Sequence, residues 1–545
     1  MVSIGPVSDI SLTYALVMIF LLGISLFFVF LGGQIAVMVT DFVQGIFTNV
    51  AFLVIVGVLI YMFDWNQIIE ALQTTPKNAS MINPFHTSKV DTFNYWFFII
   101  QLFAGFYGFK AWQGSQGYNC SAKSAHEARM AGILGEWRGM IIAIVTVMLP
   151  IGAYAIMHHA SYVGIADWVN GQLATIDSST ISKQMTVPLV LVAALPVGIK
   201  GLLAGVMLAA FISTHDTYLH SWGSIFIQDV ILPFRKKPFE TKTHLLLLKI
   251  SILFVAVFIF MFSLLFPQNE YILMFFSITG AIYIGGAGSC ILGGLYWKHG
   301  HTMGAWAALT IGMLFAISSI LLRQGWEPVV YPLLVESAPG FLKSMTWCLH
   351  GISNNVPGIN WEVVPDKFPI NSQWMYLFSI LGAGSGYIIC SVVAWKFGNR
   401  QPHDMERMLH RGQWAIQGEH EHKVTKPVTG FKAILPTEEF TRGDKIIYYG
   451  KLIWALGWFF VFVVGTIYNL IYPDVSDQAW ATFWLVFLCI NIPIAVLTVI
   501  WFLIGGLIDL KDLYKTLSTM KRDERDVGII VHHHDLSEEP ENKTD

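Results

Sequence analysis

The chain has 545 residues, 54% of them hydrophobic and only 13% charged, about half the charged share of an ordinary soluble protein. A formal net charge of −3, with basic residues confined to short clusters between apolar runs, speaks against a nucleic-acid surface and leaves the bilayer as solvent for most of the chain. The five cysteines, Cys120, Cys290, Cys348, Cys390 and Cys489, form neither a disulfide framework nor a metal-ligand spacing, so no metal site is expected from them.

Apolar runs long enough to span fall near 10–32, 44–63, 94–113, 139–160, 202–225, 245–266, 271–297, 302–322, 373–396, 449–471 and 479–507. The segment 187–200 is expected as a short extra helix entering the fifth of these eleven spans. No Lys or Arg precedes the first run, which is too long and wrongly flanked for a signal peptide. Lys123, Arg129, Arg138, Arg235, Lys236, Lys237, Lys242, Lys298 and the 396–448 segment concentrate positive charge in alternate connections. By the positive-inside rule those connections and the C-terminus are cytoplasmic, in a multi-pass protein of the plasma (inner) membrane.

The first span runs into FLGGQIAVMVTDFVQG at 30–45, where Asp41 opens the second helix. An acid near a helix start is ordinarily a favourable partner for the helix dipole. In FAGFYGFKAWQGSQGYNCSAKSAHEARMAGIL, residues 103–134, Gly105, Gly108 and Gly114 interrupt an apolar span. Interrupted spans near the midplane point to a transporter's binding site, because glycines free backbone groups for a ligand. Lys110 lies close enough to the cytoplasmic end to snorkel to water, although it could also hold an anionic solute.

Residues 201–229, GLLAGVMLAAFISTHDTYLHSWGSIFIQD, place Ser213, Thr214, Thr217, Ser221, Ser224 and Gln228 at steps of three and four, stacking neutral oxygens along one helix face. Such a stripe suits a hard monovalent cation. Gly201, Gly205 and Ala209 recur every fourth residue, so a neighbour could approach closely. The plainer account is that these hydroxyls bond back to carbonyls one turn earlier. The seventh span, YILMFFSITGAIYIGGAGSCILGGLYWKHGHTMGA, is glycine-rich and expected to be bent or locally unwound. Ser277 and Thr279 are its outer polar groups, and packing through small residues accounts for its composition equally well.

These stretches resemble the sodium:solute symporter family. LPVGIKGLLAGVMLAAFISTHDTYLHSWGSIFIQDV is similar to its signature helix, with LP-x-G-x-x-G-L, small residues, S-[ST]-x-D-S and a D-[IV] end. His215 stands where the family is usually small or apolar, and Thr217 replaces the usual Ser. The 30–45 segment resembles GG-x-x-A-V-x-x-T-D-x-x-Q, and GGLYWKHGHTMGA resembles G-L-x-W-[KR]-x-x-x-x-G-A. Ser121 to Arg129 keep the second half of a Q-R-x-x-x-[AS]-K-S-x-x-E-A-R-x-G run, while Gly117 and Tyr118 replace its Q-R pair.

The resemblance implies an all-α polytopic membrane protein with a partial inverted-repeat (LeuT-like, 5+5) sodium symporter fold. It implies sodium as co-transported ion at Ala210, Ser213 and Thr214, a second cation site at Asp41 and Thr217, and a solute cavity at Gly105, Tyr107, Gln113, Ser277 and Thr279, with Tyr107 as gate. Residues 1–322 would be the symporter core. In the family four spans precede the segment that opens here, so the chain reads as an N-terminally truncated copy. Residues 323–372 are expected as an extracytoplasmic loop folded over the vestibule, 397–448 as a cytoplasmic insert whose GEHEHK histidines are solvated, and 508–545 as a disordered tail.

The function implied is sodium-coupled import of a small organic solute (a sugar, amino acid, carboxylate or similar) by alternating access, with no catalytic residues. The partners expected are that solute and the bilayer, with no nucleic acid, in a monomer. A sensor built on the same fold, or a non-functional fragment, is the alternative. A multi-span enzyme would need paired acids, a nucleophile and base, or metal ligands inside the membrane, and intramembrane ionisable residues are sparse.

Overall fold

The computed structural model describes the chain except residues 1, 5, 6, 11, 77, 91, 110, 123, 236–238, 267–269, 399–403, 406–434, 437, 438, 521–529, 532, 533 and 536–545. Lys110, the GEHEHK histidines and most of the C-terminal tail therefore lie outside the described residues.

Among the described residues nine helices are long and apolar enough to cross a membrane. The first, α1 (Leu12–Met62), has 51 residues, far beyond the 20 or so that a single crossing needs. Gly33 sits inside it at φ 54, ψ −141, a left-handed conformation that divides it into two span-length segments. Outside it, α2 (Trp65–Leu72) leads to α3 (Tyr95–Tyr107), which is capped by Gly108. The third apolar run thus stops being helical at Tyr107 rather than continuing to 113; a 3-10 turn at Gln113–Ser115 and α4 (Gln116–Cys120) follow. Helix α5 (Ala125–His158) opens on the Ser124 cap, whose hydroxyl accepts from the Glu127 amide.

The connection after α5 holds α6 (Val163–Leu173) and α7 (Ser179–Ala194). The extra helix expected at 187–200 is α7, shifted toward the N-terminus. Ser178 caps it at one end, and Leu195, which precedes a proline and is extended, ends it. Helix α8 (Val197–Ile225) starts directly after Pro196 and runs on into a π turn at Phe226–Ile231. Then come α9 (Thr241–Leu265), α10 (Ile272–Tyr296), α11 (Thr302–Gly325), α12 (Tyr331–Ser337), α13 (Pro339–Asn355), α14 (Ser372–Phe397), α15 (Arg442–Ile471) and α16 (Asp477–Thr519).

Two packed bodies position the site. Helices α10, α11 and α14 meet through small residues. A Cβ on Gly286 would lie 2.5 Å from Leu309 Cα, and one on Gly312 would lie 2.6 Å from the Gly286 nitrogen, so these backbones are in direct contact. Ser379 of α14 closes the layer by donating to the Gly312 carbonyl at 3.0 Å. On the other side α1 packs along α8 and α9, with Val29, Val37, Leu219, Ile252 and Val255 buried between them. Many large apolar side chains on the outer faces are exposed, Phe254 at 69% and Ile453 at 70% among them, as lipid-facing helices require.

Contacts between connections sort them onto two ends. Asn360 donates to the Ser88 carbonyl, His86 pairs with the Pro473 carbonyl, Trp484 donates to the Ile82 carbonyl, and the Ile272 amide donates to Gln184. Arg323 and Glu270 form an ion pair at the same end, where both Glu270 oxygens accept from Ser372 and Arg323 donates to the Ile370 carbonyl. The connections 64–93, 161–186, 267–271, 323–372 and 472–478 are thus linked in pairs. At the opposite end, Lys451 pairs with Glu136 at 2.6 Å, Arg129 lies over the Phe440 and Tyr448 rings, and His126 reaches Asp444.

Candidate functional site

Helix α8 is regular across Ala210–Thr217, so the hydroxyl stripe is a real face. The Thr214 hydroxyl donates back to the Ala210 carbonyl at 2.7 Å, the local bond usual for threonine in a membrane helix. That bond holds two oxygens side by side and leaves the lone pairs of Thr214 available. Both residues are exposed, with no described element covering them. Ser213 turns away from them, half-buried, toward Asp41.

The polar centre lies where α8 meets the second segment of α1. Tyr118 and Thr217 both donate to Asp41 Oδ2, at 3.3 and 3.2 Å, and their oxygens are 2.9 Å apart. Asp216, one residue before Thr217, is fully buried. Its Oδ1 accepts from the Thr217 amide at 2.7 Å and its Oδ2 lies 3.4 Å from the Thr40 hydroxyl. Asp41 Oδ1 is buried without a hydrogen-bond partner. Among the described residues neither carboxylate makes an ion pair with a lysine or arginine. The two carboxylates meet hydroxyls and one backbone amide, with Arg138 acting on Asp41 only through its charge, and an ion withdrawn from water costs several kcal/mol unless a cation joins it. A cluster of carboxylate and hydroxyl oxygens is the donor set of a hard cation.

Asp41 and Thr217, expected at one cation position, are therefore in contact. Asp216, Thr40 and Tyr118 complete the cluster; the sequence reading named Tyr118 only as a replacement in the Q-R pair and gave none of the three a cation role. The signals available were that T-D at 40–41 and D-T at 216–217 both place an acid beside a threonine, and that both lie in the motifs the family resemblance rests on.

The solute candidates divide. Tyr107 donates to the Gly285 carbonyl at 2.5 Å, lies 2.8 Å from the Ser289 hydroxyl and accepts from the Ser289 amide at 2.9 Å. Its hydroxyl is thus engaged with α10. Gln113 donates to the Tyr283 hydroxyl at 2.8 Å, again on α10. Ser277 and Thr279 donate to the carbonyls of Leu273 and Phe275 in their own helix, at 2.9 and 2.7 Å, as simple helix packing would have them. Gly105 meets nothing within 4 Å of an added Cβ. Among the described residues no group of three His, Cys, Asp or Glu side chains could hold a metal ion.

The family model for the sodium:solute symporter family matches residues 7–312. The chain belongs to the sodium:solute symporter family. No curated protein matches it. Membership supports sodium-coupled transport of a small-molecule solute by this multi-pass membrane protein. All the candidate cation and solute residues fall inside the matched stretch, and so does the close packing of α10 against α11.

Proposed function

We propose that this symporter imports a small organic solute with sodium, and that the ion is read at two adjoining positions on α8. One is the face of Ala210, Ser213 and Thr214. The other is the cluster of Asp41, Thr217 and Asp216, with Tyr118 and Thr40 at its edge. What carries the proposal is that two carboxylates, one fully buried, share a cluster of hydroxyls and one backbone amide, with no lysine or arginine paired to either among the described residues. Sodium moving inward across about 100 mV releases roughly 2.3 kcal/mol per charge. That drives accumulation if the sodium-bound state also binds solute better. Gly105, Tyr107, Gln113, Ser277 and Thr279 are the solute-side candidates, with Gln113 best placed because it lies in the break and touches α10.

The test is binding of radioactive sodium to the purified protein and sodium-driven uptake of a solute panel into proteoliposomes. Asp216→Asn keeps the shape and one accepting oxygen for the Thr217 amide but removes the charge. It is expected to raise half-saturating sodium by about tenfold, the effect of losing roughly 1.4 kcal/mol. Ser213→Ala with Thr214→Ala is expected to act in the same direction. Sodium dependence unchanged in both variants would place the cation elsewhere.

A further inference from the structure

The stretch between the end of α3 and the start of α5 touches both sides of the site. At its first residue the Tyr107 hydroxyl sits between the Ser289 amide and the Gly285 carbonyl, two groups four residues apart that an α-helix ordinarily joins to each other. Helix α10 nonetheless runs unbroken over Ile272–Tyr296, so the local unwinding expected from its glycines does not occur there. The fit depends on glycine: a Cβ on Gly288 would lie 2.4 Å from the Tyr107 ring. The same turn of α10 carries Gly285 against Ser379 of α14 and Gly286 against α11, so Tyr107 hooks the break to a point already fixed on two other sides.

At the other end of the stretch Tyr118 contacts both Asp41 and Thr217. Between the two tyrosines, Ser221 of α8 donates to the Gly114 carbonyl at 3.1 Å, Trp112 packs edge-on to Tyr218, and Gln113 holds Tyr283. We propose that the described residues from Tyr107 to Tyr118, through the contacts of Trp112, Gln113 and Gly114, are the mechanical link between the cation cluster and α10, with Tyr118 sensing the cation and Tyr107 acting as a positioning residue that sets the 285–289 turn. The link rests on the cation cluster of the preceding section. It gives the hydroxyl of Tyr107 a role toward α10 in place of contact with solute.

Spatial continuity alone does not establish coupling, so the test measures coupling with sodium as the only probe. In a variant with the five native cysteines replaced, Gly280→Cys supplies a reporter on α10, where an added Cβ meets only Ile284 at 3.9 Å. Its labelling by N-ethylmaleimide is compared in sodium and potassium chloride, while radioactive sodium binding is followed separately. Sodium is expected to change the labelling rate by at least about fivefold, the lower end of ordinary coupling between sites. Tyr107→Phe keeps the ring and removes the hydroxyl; it is expected to bring that ratio to within about twofold of one with sodium affinity retained. Ser289→Ala, which removes one contact of the three, is expected to give an intermediate ratio and carries the test if Tyr107→Phe does not fold. A reporter that still follows sodium in both variants overturns the link, as does loss of sodium binding itself in Tyr107→Phe. Absence of sodium binding by the unmodified protein would instead remove the cation cluster, and the link with it.

Discussion

Asp216 shows what a single residue can conceal in a sequence. It lies 176 positions from Thr40, and nothing in either stretch alone announces that the two acids beside those threonines share one pocket. The hydroxyls of Ser213, Thr214 and Thr217 were legible because helical spacing puts them on one face; that Ser213 and Thr214 then part, one toward Asp41 and one toward the exposed side, depends on where α1 lies. Arg323 carries a stability prediction at the same scale. It is held between Glu270 and the Ile370 carbonyl with its side chain 22% exposed. Arg323→Met leaves Glu270 half-satisfied and is expected to destabilise by about 3 kcal/mol, the range for stripping one partner from a buried pair. Adding Glu270→Gln to that variant should recover part of the loss, because the stranded charge is gone. Melting temperatures of the three proteins in detergent check this; equal losses in the single and double variants would show that the pair is held by packing alone.

Among the elements, the apolar runs located the spans but not their ends. Length and hydropathy are properties of a whole run, whereas ends are set by single residues: Gly33 divides α1, Gly108 caps α3, and Leu195 with Pro196 separates α7 from α8. Glycine itself has two meanings that the sequence cannot separate. Gly286 lies where a Cβ would meet the Leu309 backbone at 2.5 Å, while Gly457 on α15 has nothing within 4 Å. Gly286→Ala is therefore expected to push α10 from α11 and destabilise by about 1–3 kcal/mol, with the clash against backbone rather than a movable side chain. Gly457→Ala should be neutral or stabilising by up to about 1 kcal/mol, because alanine is the better helix former and nothing opposes it. Thermal unfolding of the two variants decides the matter, and a Gly286→Ala protein as stable as Gly457→Ala would mean that the α10 and α11 contact is loose.

For the whole molecule, charge and contacts give the same partition by independent routes. The basic residues alternate between connections in sequence, and the contacts alternate in space: segments around 86, 184, 270, 360 and 473 join one another at one end, and those around 126–136 and 440–451 join at the other. Contacts say which connections share a side; only the Lys and Arg bias says which side is cytoplasmic. Two native cysteines separate the two statements. Cys348 on α13 and Cys120 at the end of α4 are both exposed, the first at the end poor in Lys and Arg and the second beside the basic stretch that opens α5. A membrane-impermeant maleimide applied to intact cells is expected to label Cys348, with the label lost in Cys348→Ser, and to reach Cys120 only after permeabilisation. Labelling of Cys120 but not Cys348 in intact cells would invert the protein in the membrane and would turn the sodium gradient against the import that the cation cluster is proposed to drive.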